Sequence, residues 1–382
     1  MTSKNSLKRN KNELRHPHYK TLLECCRRHN ETLPNMIIDT AYISLSTGSA
    51  LDRWKKASQV MIEKGKGQLV DNLCIIQLVE ADLNFVLHTI WGHRLIRHAM
   101  NHKLLNADQY AIPGQTCNNA VLNKILFLDL SHQTLSDGIL TDYDTTATFD
   151  RVIAGLSIVT CQRVGLPRIA GYFMYDLLKH MSFNLITGFG SLSRSFHNTQ
   201  DGTTGQGVLQ GSSSATPIYI LNSDISLTAF QKIGTGTAFT HPITKQIASD
   251  RSVQYVDNTS QFLNPLGISN KHNCPAEEAS SMMPDIARKN AQTWADIQHI
   301  SGGQLNTGKC YYYAFQNKIN YKNNKIICSD LKFNTPISIN YNDTCTTEIP
   351  QIKSSKGRRT LGAIISPNGS SKAQLTFLPA AC

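Results

Sequence analysis

Apolar residues spaced three or four apart mark one face of a helix, and strict alternation marks one face of a strand. On this basis residues 1–50 are mostly helical and loop-like, with a polar turn at "STGS". Residues 51–80 hold a basic loop and then the apolar run "LCIIQLV". Residues 81–106 read as an amphipathic helix, and 107–120, "ADQYAIPGQTCNNA", as a Gly/Pro-punctuated connection. Helices are expected over about 119–132, 149–164, 167–182 and 213–229, with the strand "GILTDYD" before the second of them. A polar, Gly-rich segment fills 187–213. In "SVQYVDNTSQF" apolar residues flank Asp257-Asn258, which reads as a tight hairpin with the acid at its tip. Residues 264–280 read as irregular, followed by a helix near 285–300 stopped by Gly302-Gly303, then short strands. The mixture is α+β without regular βαβ alternation or internal repeats.

Composition agrees with a packed protein. The 382 residues are 40% hydrophobic and 17% charged, enough chain for two or three domains. No apolar run is long enough for a membrane-spanning helix. "MTSKNSLKRNKNELRH" has no apolar core of a signal peptide, so the expected location is intracellular, nucleus and cytoplasm being indistinguishable. Ten cysteines without a C-x-x-C pair read as free thiols in a reducing compartment.

Charge changes the picture more. The net charge is +11 and it is clustered. Residues 1–30 carry eight Lys/Arg against two Glu, "RWKKASQVMIEKGKG" carries five, and five follow Glu348 with no acid. Such clusters suit a polyanion such as nucleic acid, or are solvated termini.

Against this basic background a few acids stand out. In "GILTDYDTTATFD", Asp142 and Asp144 alternate and so share one face of a strand, and Phe149-Asp150 are expected to open a helix. Carboxylates at a strand end suit Mg²⁺, a hard cation that keeps open positions for water or phosphate. The plainer reading has Asp142 solvated and Asp150 or Thr148 capping a helix. Asp257, thrust into solvent by its hairpin, is the second candidate, against an ordinary turn aspartate.

These pieces, in this order, resemble a reverse transcriptase of the non-LTR retrotransposon type. "DTTATFD" resembles its first metal-binding motif, "GVLQGSSSATP" the Gln-Gly-Ser motif, and "QYVDNT" the aromatic-x-Asp-Asp box. "WADIQHISGGQLNTGKC" resembles the following helix–turn–strand segment, and "RRTLGAII" the Leu-Gly strand beside the primer. "RWKKASQVMIEKGKG", "NLCIIQLVEADLN" and "QYAIPG" resemble fingers motifs, and "LRHPHYKTLL" a further upstream element. The resemblance runs from about residue 14 to 378.

It implies a right-hand polymerase fold: an RRM-like palm sheet carrying the acids, fingers around it, and a thumb largely absent. The implied domains are 1–50, an N-terminal helical and basic extension; 51–135, fingers; 136–350, palm with some fingers segments; and 351–382, the end of the palm and start of a truncated thumb. The implied activity is RNA-directed DNA polymerisation by two-metal nucleotidyl transfer, with two Mg²⁺ ions or Mn²⁺ in their place. The implied partners are an RNA template, a DNA primer and deoxynucleoside triphosphates, with no membrane. Asp144 and Asp257 would bridge the metals, with Asn258 a weakened third position. Lys309 would protonate the departing pyrophosphate. Phe149 would sit under the sugar, Gln210 and Gly211 would line the nascent base pair, Lys64 would reach the triphosphate, and Thr145 would join the substrate contacts.

The chain departs from that pattern at demanding positions. Asn258 stands where the family has a second Asp, Cys74 where an arginine contacts the triphosphate, Ala111 for a Gly and Ala215 for a Ser. Gly205-Gln206-Gly207 forms a second glycine cluster. These departures keep a second reading open: a partly degenerate, inactive copy of the fold that binds nucleic acid. A Mg²⁺-dependent phosphohydrolase, the third reading, has no need of the Gln-Gly-Ser segment or of an aromatic at 149.

Overall fold

The computed structural model describes residues 32–63, 73–188, 190–197, 206–342 and 345–381. The chain is a mixed α+β protein with several sheets. The strands are β1 (Lys56–Glu63), β2 (Leu73–Leu78), β3 (Gly138–Asp144), β4 (Ser182–Thr187) and β5 (Gly190–His197). β6 (Thr237–Thr240), β7 (Ile247–Asp250), β8 (Ser252–Tyr255), β9 (Asn258–Leu263) and β10 (Tyr311–Asn320) follow. The last are β11 (Lys325–Asp330), β12 (Ser338–Asn342), β13 (Cys345–Glu348), β14 (Arg358–Thr360) and β15 (Ala363–Ile365). Two compact units interleave along the chain: Met1–Leu104 with Phe149–Asn222, and Leu105–Thr148 with Ser223–Cys382.

The first unit carries a four-stranded sheet in the order β2-β1-β4-β5. β1 pairs antiparallel with β2 and parallel with β4. Trp54, Trp91 and Phe173 are fully buried and meet ring to ring, Phe173 stacking on Trp91 at 6.0 Å. β5, which pairs antiparallel with β4, lies in the polar, Gly-rich segment read from about residue 187.

The second unit is built on a five-stranded sheet, β11-β10-β3-β9-β8, with every described pairing antiparallel. Both faces are covered, as the period of two along each strand shows. Ile139 and Tyr143 of β3, Leu263 of β9 and Tyr312 of β10 join one core with Trp294 and Phe230. Leu140, Phe262, Tyr311, Tyr313 and Phe315 join the other, under the helix Cys117–Gln133. Gly138 admits this packing: a Cβ there would lie 2.5 Å from the Phe315 ring.

Three expectations need correction. Phe149-Asp150 do not open a helix; the helix is Ala154–Arg163. The Phe149 and Val152 carbonyls instead accept from the Val208 and Gly207 amides, a strand-like use of the backbone. Residues 264–280 are largely helical. Pro265 starts the helix Pro265–His272 and Asn264 caps it, accepting from the Gly267 amide at 2.9 Å. The next helix begins at Ala276, well before 285, and carries Pro284 inside it.

At the end of β7, burial and then the neighbouring Asp108 push the Asp250 carboxyl up to about 7. A folded pKa above the unfolded one means that the folded state binds the extra proton. Stability is therefore lost as pH rises from about 4 to about 7, and the loss is complete above that. Asp250→Asn removes the charge and is expected to stabilise the protein above pH 7 by about 1–3 kcal/mol while matching the parent near pH 4. Urea midpoints of both proteins at the two pH values check this; a pH-independent difference would refute it.

Candidate active site

The second unit gathers its acids where β3 and β9 end side by side. Asp144 closes β3 directly opposite Asn258, which opens β9. The β8–β9 hairpin is as tight as expected, but Tyr255 pairs with Asn258, so its turn is Val256-Asp257 and not Asp257-Asn258. Val256 sits at φ 53°, a conformation that a β-branched side chain resists at a cost of about 1–3 kcal/mol. The strained turn seats Asp257 beside the end of β3, where the Thr145 hydroxyl donates to the Asp257 carbonyl at 3.4 Å. Thr145 is itself buried.

Lys309 reaches the same place from the other side. The helix Ala276–Ile300 ends ahead of Gly302, at φ 88°, and the chain then turns back along β3. The Asn306 amide donates to the Asp144 carbonyl at 2.8 Å and the Lys309 amide to the Asn306 carbonyl at 2.8 Å. The Lys309 Nζ lies 2.9 Å from Asp144 Oδ1, with the Asp144 side chain one-fifth exposed and that of Lys309 over half exposed. Burial first, and then the Asp144 charge, raise the Asp257 carboxyl above the usual carboxylate range; Lys309 opposes them.

One layer deeper lies a group that sequence reading missed. Asp142 is not solvated: it is 2% exposed. Its carboxylate pairs with Lys124 Nζ at 2.9 Å and accepts from the Ser260 and Tyr311 hydroxyls. Lys124, fully buried, also donates to the Thr360 hydroxyl of β14 and to Asn258 Oδ1 at 3.3 Å. Desolvation lowers the Lys124 pKa, with Asp142 opposing. A signal did exist: Lys124 is three residues after Val121 and four before Leu128, both core residues of the same helix. A cation on an apolar stripe needs a buried anion.

Other expected site residues belong to the first unit. Phe149 is half-buried and meets Tyr219 edge to face at 5.6 Å. Gly211, at φ 114°, brings its backbone against β2: a Cβ there would lie 2.7 Å from the Gln77 carbonyl, and the Gln77 amide donates to the Gln210 carbonyl. The glycine thus has a packing role within this unit. Lys64, Gly205 and the basic stretch 1–30 lie outside the described residues.

Among the described residues, no three or more His, Cys, Asp or Glu gather as a metal-binding group. Asp144 and Asp257 are both carboxylates, the donor type that a hard divalent cation uses, and burial followed by the Asp144 charge raises the proton affinity of Asp257. No helix of the described residues is long and apolar enough to cross a membrane.

No protein-family model matches the chain. A search of the curated proteins finds no match either. Among solved structures, the chain is similar to the telomerase of Candida tropicalis in complex with the TWJ fragment of telomeric RNA, with 12% identity and a TM-score of 0.44. The likeness covers 70% of this chain and 42% of the telomerase chain, less than half of the latter's length.

Proposed function

We propose that this chain is an RNA-directed DNA polymerase core of the reverse-transcriptase class, with Asp144 and Asp257 as its metal-holding acids. The observation that carries this reading is the convergence of Asp144, Asp257 and Lys309, distant in sequence, at one pair of strand ends. Asp144 and Asp257 would hold Mg²⁺, which when bound supplies the positive charge that nucleotidyl transfer needs at its reacting oxygens. In this reading Lys309, whose Nζ pairs with Asp144 Oδ1, would pass a proton to a leaving phosphate oxygen. Thr145 fixes the Asp257 backbone and so the spacing of the two acids. The substrates in this reading are a primer paired to an RNA template and deoxynucleoside triphosphates.

A second reading, a polymerase fold that binds nucleic acid without chemistry, is favoured by Asn258. The hairpin's second acid position is an amide, and Lys124 already engages its oxygen. Primer extension on an RNA template, in Mg²⁺ and in Mn²⁺, separates the two. Extension supports the first reading; salt-sensitive binding without extension supports the second.

Under either reading, binding to a primer–template duplex should weaken steeply with salt. Lys353, Lys356, Arg358 and Arg359 are exposed in a stretch without acids, the two arginines on β14 of the β14–β15 hairpin and the two lysines just before it. Each phosphate neutralised releases about 0.9 counterion, so four such contacts predict a log–log slope of about −4. Fluorescence anisotropy across a salt series measures it; a flat response would remove the polyanion reading.

A further inference from the structure

We infer that Asn258 acts as a hydrogen-bond donor to an anionic phosphate oxygen and not as a metal ligand, with Lys124 as the residue that positions it. The inference rests on the polymerase reading of the same strand ends. Its basis is donor–acceptor chemistry. A lysine ammonium has three N–H donors and no acceptor, so only the oxygen of a neighbouring amide can face it. Lys124 Nζ places one donor on each of Asp142 Oδ1, Thr360 Oγ1 and Asn258 Oδ1, which satisfies all three. The Asn258 oxygen is therefore committed to the interior. Its Nδ2 group, at the opposite corner of the amide, turns away from Lys124.

That NH₂ group has no hydrogen-bond partner among the described residues, and Asn258 is half-buried, so its free corner is open to solvent. Directly across from it in register stands Asp144, and directly before it in the chain stands Asp257. An amide donor beside two carboxylates supplies what they cannot, a group attractive to a phosphate oxygen without a metal. Aspartate at 258 would have no donor, and its carboxylate would bring a second negative charge to Lys124 beside Asp142. The asparagine and the buried lysine thus form a matched pair.

The ligand chemistry is a phosphate oxygen, whose source is either a nucleoside triphosphate or the primer backbone. The test measures binding of dTTP and of a primer–template duplex, each in EDTA and in Mg²⁺, alongside thermal melts with and without Mg²⁺. Asn258→Ala is expected to lose about tenfold in metal-free affinity for one of the two ligands, the value of one hydrogen bond to a charged group, and the affected ligand identifies the source. Its Mg²⁺-induced stabilisation is expected to equal the parent's. Asn258→Asp should lose at least as much metal-free affinity as Asn258→Ala.

The positioning role is read from the double variant Lys124→Met/Asp142→Asn, which removes both buried charges together. It should show the same metal-free loss, and adding Asn258→Ala to it should cause no further loss. Unchanged metal-free binding in Asn258→Ala, or a Mg²⁺ response that falls with it, overturns the donor role. Additive losses overturn the role of Lys124. A parent that binds neither ligand, with or without Mg²⁺, overturns the polymerase reading and the inference with it.

Discussion

Under the proposed polymerase function, Asp144→Ala is expected to reduce primer extension by about three orders of magnitude or more, because it would remove a metal ligand worth several kcal/mol of charge stabilisation at the reacting phosphate. The same substitution should leave the protein folded. Asp144 ends β3 and, among the described residues, its carboxylate makes one ion pair, to a Lys309 side chain that is largely in solvent. An exposed pair of this kind contributes about 0–1 kcal/mol. Its loss is offset by relief of the repulsion that Asp144 exerts on Asp257. Extension assays on an RNA template, paired with thermal melts, test both halves of the statement. A folded variant that extends primers as the parent does would show that Asp144 is not a catalytic acid.

The opposite pattern is expected at Lys124, the buried partner of Asp142. Lys124→Met should destabilise the protein by about 3–5 kcal/mol, because it leaves the Asp142 carboxylate buried without its counter-charge. Asp142 would keep only the Ser260 and Tyr311 hydroxyls, which do not supply the missing positive charge. The damage should extend to β14, since the Thr360 hydroxyl loses its partner as well. Lys124→Met combined with Asp142→Asn should recover much of the loss, since a neutral buried amide costs far less than an unpaired ion. Urea midpoints of the three proteins give the comparison. A single variant within about 1 kcal/mol of the parent would mean that the pair is hydrated in solution.

The contrast between Asp142 and Asp144 shows how far the sequence can be read. Alternation correctly places both on one face of a strand, because the side-chain period of an extended chain is local geometry. It cannot tell which is buried. Burial depends on the preceding helix Cys117–Gln133 folding back over that face and on Tyr311 arriving from β10, 169 residues along the chain. The hairpin at Asp257 was legible from its flanking apolar residues. Its turn slipped by one residue because the β3–β9 register pulls Asn258 into the strand, at the cost of a left-handed valine. Residues 264–280 read as irregular, yet the helices Pro265–His272 and Ala276–Ile300 take up most of them; a proline at the first helical position lacks only an N–H that would go unpaired there anyway.

Local pattern and composition determined the mixture of helices and strands, the basic character of the chain, the shared face of Asp142 and Asp144, and the tight hairpin. Each follows from neighbours within a few residues, or from a simple count, and needs no knowledge of the fold. Tertiary structure alone decided the rest. It interleaved the chain into two compact units, so that consecutive segments do not make consecutive domains. It brought Lys309 to Asp144 through a loop that returns along β3. It buried Lys124 on Asp142 and turned the oxygen of Asn258 inward. The physical reason is common to all three: pairing between distant residues is set by strand register and by the shape of a packed core. A buried charge is tolerated only where that packing supplies its partner.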